Sequence, residues 1–146
     1  MNEVSMKLLT KHTDYAIRAL LELAGSKDEF LSAQQIAKRQ RVPYQFLRQI
    51  LQGLIKDKLV ISKEGRGGGF RINKHPYLIS IVDVIVIFQG NIQLSDCMFR
   101  KKLCINRANC VLRKQINRVE KLVNKEFKGI TIGCLLRDLE KPKRRG

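Results

Sequence analysis

Nothing in this sequence is apolar for long enough to cross a bilayer. The most apolar run, Leu78 to Phe88, is interrupted by Ser80 and Asp83 and falls short of the roughly 20 residues a membrane helix needs. No secretory leader is legible at the N-terminus, where charged and apolar residues alternate without a small-residue cleavage site, so the chain is expected to act in the cytoplasm. Cysteine is scarce, at 4 residues. In a chain that is not secreted this argues against a disulfide framework and leaves reduced thiols or a metal. Acidic residues are also few: 13 stand against 29 lysines and arginines, a formal net charge of +16. That excess says little about fold, but it favours polyanions and nucleic acid above all. The closing Lys141-Pro142-Lys143-Arg144-Arg145 reads as a solvated basic tail, and the excess stays large without it. No internal repeat and no acid–base pair stands out. The glycine-rich segment Gly65 to Gly69 lacks the Gly-Lys-Ser/Thr ending of a phosphate loop.

At 146 residues the chain suits one compact unit. Ala16, Ile17, Leu20, Leu21 and Ala24 form a helical stripe from Thr10 to Ala24, closed by Gly25. Ser32 and Gln35 have capping-box spacing and open a short helix to about Gln40. Pro43 suits the first turn of the next helix, which is expected to run to about Lys56. Its buried face should hold Phe46, Leu47, Ile50, Leu51, Leu54 and Ile55. Tyr44, Gln45, Arg48, Gln49 and Gln52 then point outward, as side chains that can meet bases and phosphates in a major groove. Two short helices with a tight turn form a helix-turn-helix. Leu59–Ser62 and Gly69–Asn73 read as a hairpin, the wing, whose turn carries Lys63 and Arg66; Arg66 at the tip suits a narrow minor groove. Ser80 to Phe88 is expected as a helix capped by Ser80 and Asp83 and stopped by Gly90, with a strand as the alternative. Leu112, Ile116, Val119, Leu122, Val123 and Phe127 recur at helical spacing from Val111 to Phe127. So long an amphipathic helix in so small a chain points to its copy in a second subunit, with packing over the wing domain as the rival. The expected fold class is mainly α with a small β-hairpin wing.

Cys97, Cys104 and Cys110 fall within fourteen residues with the spacing C-x6-C-x5-C, on a basic segment. Three soft thiolates close together call for an electrophilic partner, most often a metal centre. The spacing lacks the C-x2–4-C pairs of zinc knuckles and the C-x2-C runs of ferredoxins. Structural zinc with one more ligand and thiol-based oxidation sensing remain open. An iron–sulfur electron carrier or enzyme has no accompanying acid–base pair, cofactor loop or docking motif. Cys134, in an apolar stretch, reads as a small buried hydrophobe, and His12 and His75 as ordinary surface residues.

From about Met6 to Leu139 the chain resembles the bacterial IscR/NsrR-type iron–sulfur winged-helix regulators. The resemblance rests on Leu9-Thr10-Lys11-His12-Thr13-Asp14-Tyr15-Ala16, Phe46-Leu47-Arg48-Gln49-Ile50-Leu51, Gly65-Arg66-Gly67-Gly68-Gly69-Phe70 and the three cysteines, in that order. It implies a winged helix-turn-helix domain over 6–90, a cysteine loop over 91–110, a dimerisation helix and C-terminal helix over 111–139, and the basic tail 140–146. It further implies a homodimer on a palindromic operator and an iron–sulfur cluster bound by Cys97, Cys104 and Cys110. The IscR-like fourth ligand, a histidine three residues after the last cysteine, is Arg113 here. The NsrR-like one, an aspartate near the start of the first helix given by the other subunit, is matched by Asp14. The resemblance thus favours a 4Fe–4S cluster and a repressor sensing nitric oxide or redox state. The alternative is an IscR-like regulator of cluster supply with a 2Fe–2S centre. Glu64 replaces an arginine common in the family's wing, and Arg48 a glutamate of IscR, so the mode of DNA binding carries over and the sequence preference does not.

Overall fold

The computed structural model describes residues 7–94 and 110–141. The segment with Cys97 and Cys104 and most of the basic tail therefore lie outside the described residues. Helix α1 spans Lys11–Gly25 and starts where the Thr10 side chain accepts a hydrogen bond from the Thr13 N–H at 3.3 Å. Ala16, Ala19, Leu20 and Leu23 bury its inner stripe. Helix α2, Ala33–Gln40, opens on the expected capping box: Ser32 Oγ accepts from Gln35 N–H at 3.1 Å, and Gln35 Oε1 accepts from Ser32 N–H at 2.9 Å. Arg41 ends it in the left-handed conformation, and Val42 turns into the core.

Helix α3 is Tyr44–Lys56. Pro43 sits just outside it as the N-cap, not in the first turn, because its ψ of 130° is extended while its carbonyl already accepts from Leu47 N–H. Leu47, Ile50, Leu51 and Leu54 have no exposure at all. Phe46, expected among them, is 46% exposed instead. One residue earlier is a rotation of about 100° around the helix, which carries Phe46 to the edge, where its ring meets His12 edge-on at 5.7 Å.

The wing comprises β1, Val60–Lys63, and β2, Gly69–Ile72, paired antiparallel with Val60 opposite Ile72 and Lys63 opposite Gly69. β1 starts one residue later than expected, because Leu59 is drawn into the corner by its N–H bond to Leu54 O. A bridge from Leu31 to Phe70 adds a third rung beside β2, with N–H···O distances of 2.9 and 2.7 Å. Gly69 makes the bridge possible: its φ is +136°, and a Cβ there would come within 2.4 Å of Leu31 O.

A 3-10 turn at Pro76–Leu78 leads to α4, Ile81–Gln89, whose Ser80–Asp83 capping box and Gly90 stop decide for helix over strand. Helix α5, Val111–Lys128, extends along α4 with none of its residues buried. Helix α6, Ile132–Glu140, returns to pack on α1 and the 3-10 turn. Its entry is pinned by Ile81 N–H to Ile130 O and Ile132 N–H to Ile79 O, both 2.9 Å. No described helix is long and apolar enough to cross a membrane.

Gly69 and Gly67 give the wing a paired test. Both have positive φ, but nothing lies within 4 Å of a Cβ on Gly67. Gly67→Ala should cost the left-handed penalty of about 1–2 kcal/mol. Gly69→Ala adds a backbone clash that must break the Leu31–Phe70 bridge, so its denaturant midpoint should fall further. Equal midpoints would show that the bridge gives way without cost.

Candidate nucleic-acid interface and metal-ligand segment

The core contacts of α3 turn its opposite side to solvent, and Tyr44, Gln45, Arg48, Gln49 and Gln52 are all exposed there. The Arg48 guanidinium lies 6.0 Å above the Tyr44 ring. A shallow cavity of about 320 Å³ separates this end of α3 from the start of α2 and the wing glycines Gly65, Gly68 and Gly69. Three elements thus border one concave surface. Lys63 and Arg66 are exposed on the wing. The turn between them closes through Gly68 N–H to Gly65 O at 3.1 Å, with Gly65 and Gly67 in positive φ. All seven residues expected to face DNA are therefore exposed along the recognition helix and the wing.

The metal-ligand candidates divide. Cys97 and Cys104 lie outside the described residues. Cys110 is the N-cap of α5 and makes no capping hydrogen bond with its side chain. Asp14 stands in the first turn of α1, about half exposed, and pairs with Arg18 one turn on at 3.1 Å. A surface pair of this kind contributes only about 0–1 kcal/mol, so the carboxylate is easily released. An uncommitted sulfur and a lightly held carboxylate fit a ligand role for an iron–sulfur cluster. Among the described residues, which exclude Cys97 and Cys104, no group of three metal-ligating side chains comes together.

Sequence reasoning missed what locates Asp14. Its neighbour Thr13 is the single buried polar residue of the described core, and its hydroxyl donates to Gln89 Oε1 at 2.5 Å. The same oxygen accepts from Thr10 N–H at 3.0 Å, and Gln89 Nε2 donates to Leu8 O at 2.9 Å. Gln89 ends α4, so one side chain fastens the start of α1 to the point from which the cysteine segment departs. That segment's near end is held as well, by Leu94 N–H to Glu120 Oε1 at 2.7 Å. No local pattern marks Gln89, since its partners lie about eighty residues away.

Cys134 differs from expectation: it is half-buried at the start of α6, where its N–H donates to Thr131 Oγ1. The Thr131 hydroxyl, above all, holds its thiol below the ordinary cysteine range. His75 accepts from Tyr77 N–H and stacks on that ring, which makes it a local turn residue.

A family model described as "Iron-dependent Transcriptional regulator", Rrf2, matches residues 9–138. Over 107 residues the chain is 36% identical to the HTH-type transcriptional regulator NsrR of Shouchella clausii, covering 72% of each protein. It is 35% identical to NsrR of Halalkalibacterium halodurans over the same length, covering 72% of this chain and 73% of that one. Among solved structures, T. potens IscR superposes with a TM-score of 0.74 at 23% identity, over 99% of this chain and 96% of the other. CymR, the global cysteine regulator of B. subtilis, also gives 0.74, at 21% identity over 91% and 98%. These two establish the winged fold. The family match fixes the class: this chain belongs to the Rrf2 family, as a DNA-binding transcriptional regulator and not an enzyme.

Proposed function

We propose that this regulator is an NsrR-like repressor whose operator binding is controlled by an iron–sulfur cluster sensing nitric oxide or redox state. The observation that carries the reading is the cysteine triad Cys97, Cys104 and Cys110, within a chain matched by a family described as iron-dependent. Relatives named NsrR at 36% and 35% identity favour the nitric-oxide branch, as does Arg113 where an IscR-like histidine would stand. The three thiolates and Asp14 of the other subunit hold the cluster, 4Fe–4S by this reading. When bound, it supplies a centre reactive toward nitric oxide and oxidants.

The chain's own residues convert ligation into geometry. Cys110 caps α5, so a bond at its sulfur bears directly on the long helix. Asp14 sits one residue from the Thr13–Gln89 junction, so a bond at its carboxylate bears on the α1 end of the reader. Ligation across subunits would set how far apart the two winged heads stand, matching the half-sites of a palindromic operator. A coupling of roughly 1–3 kcal/mol changes affinity about 5- to 150-fold. At each half-site Tyr44, Gln45, Arg48, Gln49 and Gln52 meet the major groove, Lys63 a phosphate and Arg66 the minor groove.

Helix α5 supplies the dimer contact. Leu112, Val119 and Leu122 are exposed along it, and an apolar stripe of that length on a monomer marks an interaction surface. By this division, residues 6–90 are the reader, 91–110 the ligand loop and 111–128 the dimer helix. Helix α6 is built into the reader's body.

Two predictions follow from these assignments. Purified without oxygen, the protein should show visible absorbance with iron and acid-labile sulfide. Cys104→Ala should abolish both and Asp14→Ala should make the absorbance bleach faster in air. Colourless protein holding zinc would replace the sensor with a strut, and unchanged bleaching would remove Asp14 from the ligand set. In light scattering the wild type should run at twice the chain mass of 16.8 kDa, and Leu122→Glu at the single mass with unchanged helix content. A variant that stays dimeric would move the interface off α5.

A further inference from the structure

Phe30 lies just before the cap of α2, beside the Leu31–Phe70 bridge, and its half-buried ring carries two cations. The Arg71 guanidinium is 4.8 Å from the ring centroid and Lys63 Nζ is 5.7 Å away. The register explains the convergence. Lys63 lies opposite Gly69, and Arg71 is two residues beyond Gly69 on the same face of the hairpin. The other face, with Val60, Phe70 and Ile72, packs on the core. Among the described residues neither cation has an ion pair with a carboxylate.

Two positive groups gathered on one ring without an acid repel each other, and an anion between them relieves the repulsion. The ring does not use up their charge. Arginine stacks through its planar face and leaves its edge N–H donors free for a bidentate phosphate contact. Lysine held over a ring keeps its ammonium open to solvent on the far side. The ring also restricts two otherwise mobile side chains, which lowers the ordering cost of binding. The location suits DNA: Gly69, opposite Lys63, borders the concave surface shared with Tyr44 and Arg48.

We propose that Phe30 is a positioning residue for DNA binding, holding Arg71 and Lys63 as a two-cation clamp on the duplex backbone beside the wing. The clamp reads phosphate and not sequence, so it acts on any duplex. It rests on the DNA-binding character of the family and is independent of the cluster.

The test is fluorescence anisotropy with a duplex that lacks the operator, titrated across salt with the full chain. Each lost phosphate contact lowers the log–log salt slope by about 0.9, so the affinity drop between about 50 and 200 mM salt shrinks three- to fourfold. Arg71→Ala should show that change, while Lys125→Ala on α5 should not. Phe30→Leu keeps both charges but frees them. It should weaken binding about two- to fivefold, the range of an exposed cation–π contact, with the slope unchanged, and Phe30→Tyr should restore wild-type affinity. Adding Phe30→Leu to Arg71→Ala plus Lys63→Ala should cost nothing more. Wild-type slope in Arg71→Ala would overturn the clamp. Wild-type affinity in Phe30→Leu, or an equal loss in Phe30→Tyr, would overturn the ring's role. Should Phe30→Leu lower the thermal midpoint, the triple variant decides: a further loss beyond the two cation deletions means that Phe30 acts through stability alone.

Discussion

The reading surface depends on the burial of one side of α3. Leu47, Ile50, Leu51 and Leu54 are wholly enclosed in the core that α3 shares with α1, α2, β1 and α4, and each such side chain stabilises the fold by about 1.5–3 kcal/mol. A helix with four anchors on one side cannot rotate without exposing them. The roll of α3, and with it the outward direction of Tyr44, Arg48 and Gln52, is therefore set by the core. The side chains proposed to meet bases are exposed and lie outside the anchoring core, so recognition could change while the anchors stay.

A second constraint joins distant parts of the chain. Thr13 is buried beneath the first turn of α1, and a buried hydroxyl without a partner would cost roughly 1–3 kcal/mol. Gln89 satisfies it and in doing so locks the end of α4 to the strand of chain entering α1. The consequence is mechanical. The proposed cysteine loop starts from a fixed point, and the proposed aspartate ligand sits next to the same point. His12, beside it, reaches the exposed edge of α3 through Phe46. Ligation at Asp14 would therefore act within one turn of a contact to the recognition helix, without any long relay through the core.

Local chemistry made most of this legible in the amino-acid order. The Ser32–Gln35 and Ser80–Asp83 boxes and the glycine-rich turn of the wing each depend on near neighbours, and each formed where expected. The departures have one kind of cause. Phe46 belongs to the buried stripe by hydropathy but lies at its margin by angle, where only the position of α1 decides exposure. Cys134 reads as apolar filler, but the return of α6 leaves it half-open beside the Thr131 cap. Gln89, Phe30 and Arg71 gain meaning from partners brought together by the fold, and no spacing announces them. The proposed cysteine ligands stand out as a pattern in the sequence, whereas the proposed completion of the set by the other subunit has no signature among near neighbours.

The architecture also separates a body closed on itself from a helix that it holds only lightly. The winged reader is closed on itself: α6 returns to α1, the 3-10 turn backs it, and the Leu31–Phe70 bridge braces the wing. Helix α5 leaves that body with no buried residue of its own and a polar tie at Glu120. Such a helix has little intrachain burial to hold its angle against the reader, and in the proposed mechanism a partner helix and the cluster ligand at its N-cap supply that hold. By that mechanism, a small change in ligation at Cys110 would alter the spacing of the two heads without unfolding either. Because backbone contacts fall off steeply when two heads no longer match their half-sites, a modest shift in that angle would suffice, in the proposed mechanism, to release the operator while each head keeps a weak, salt-sensitive hold on any duplex.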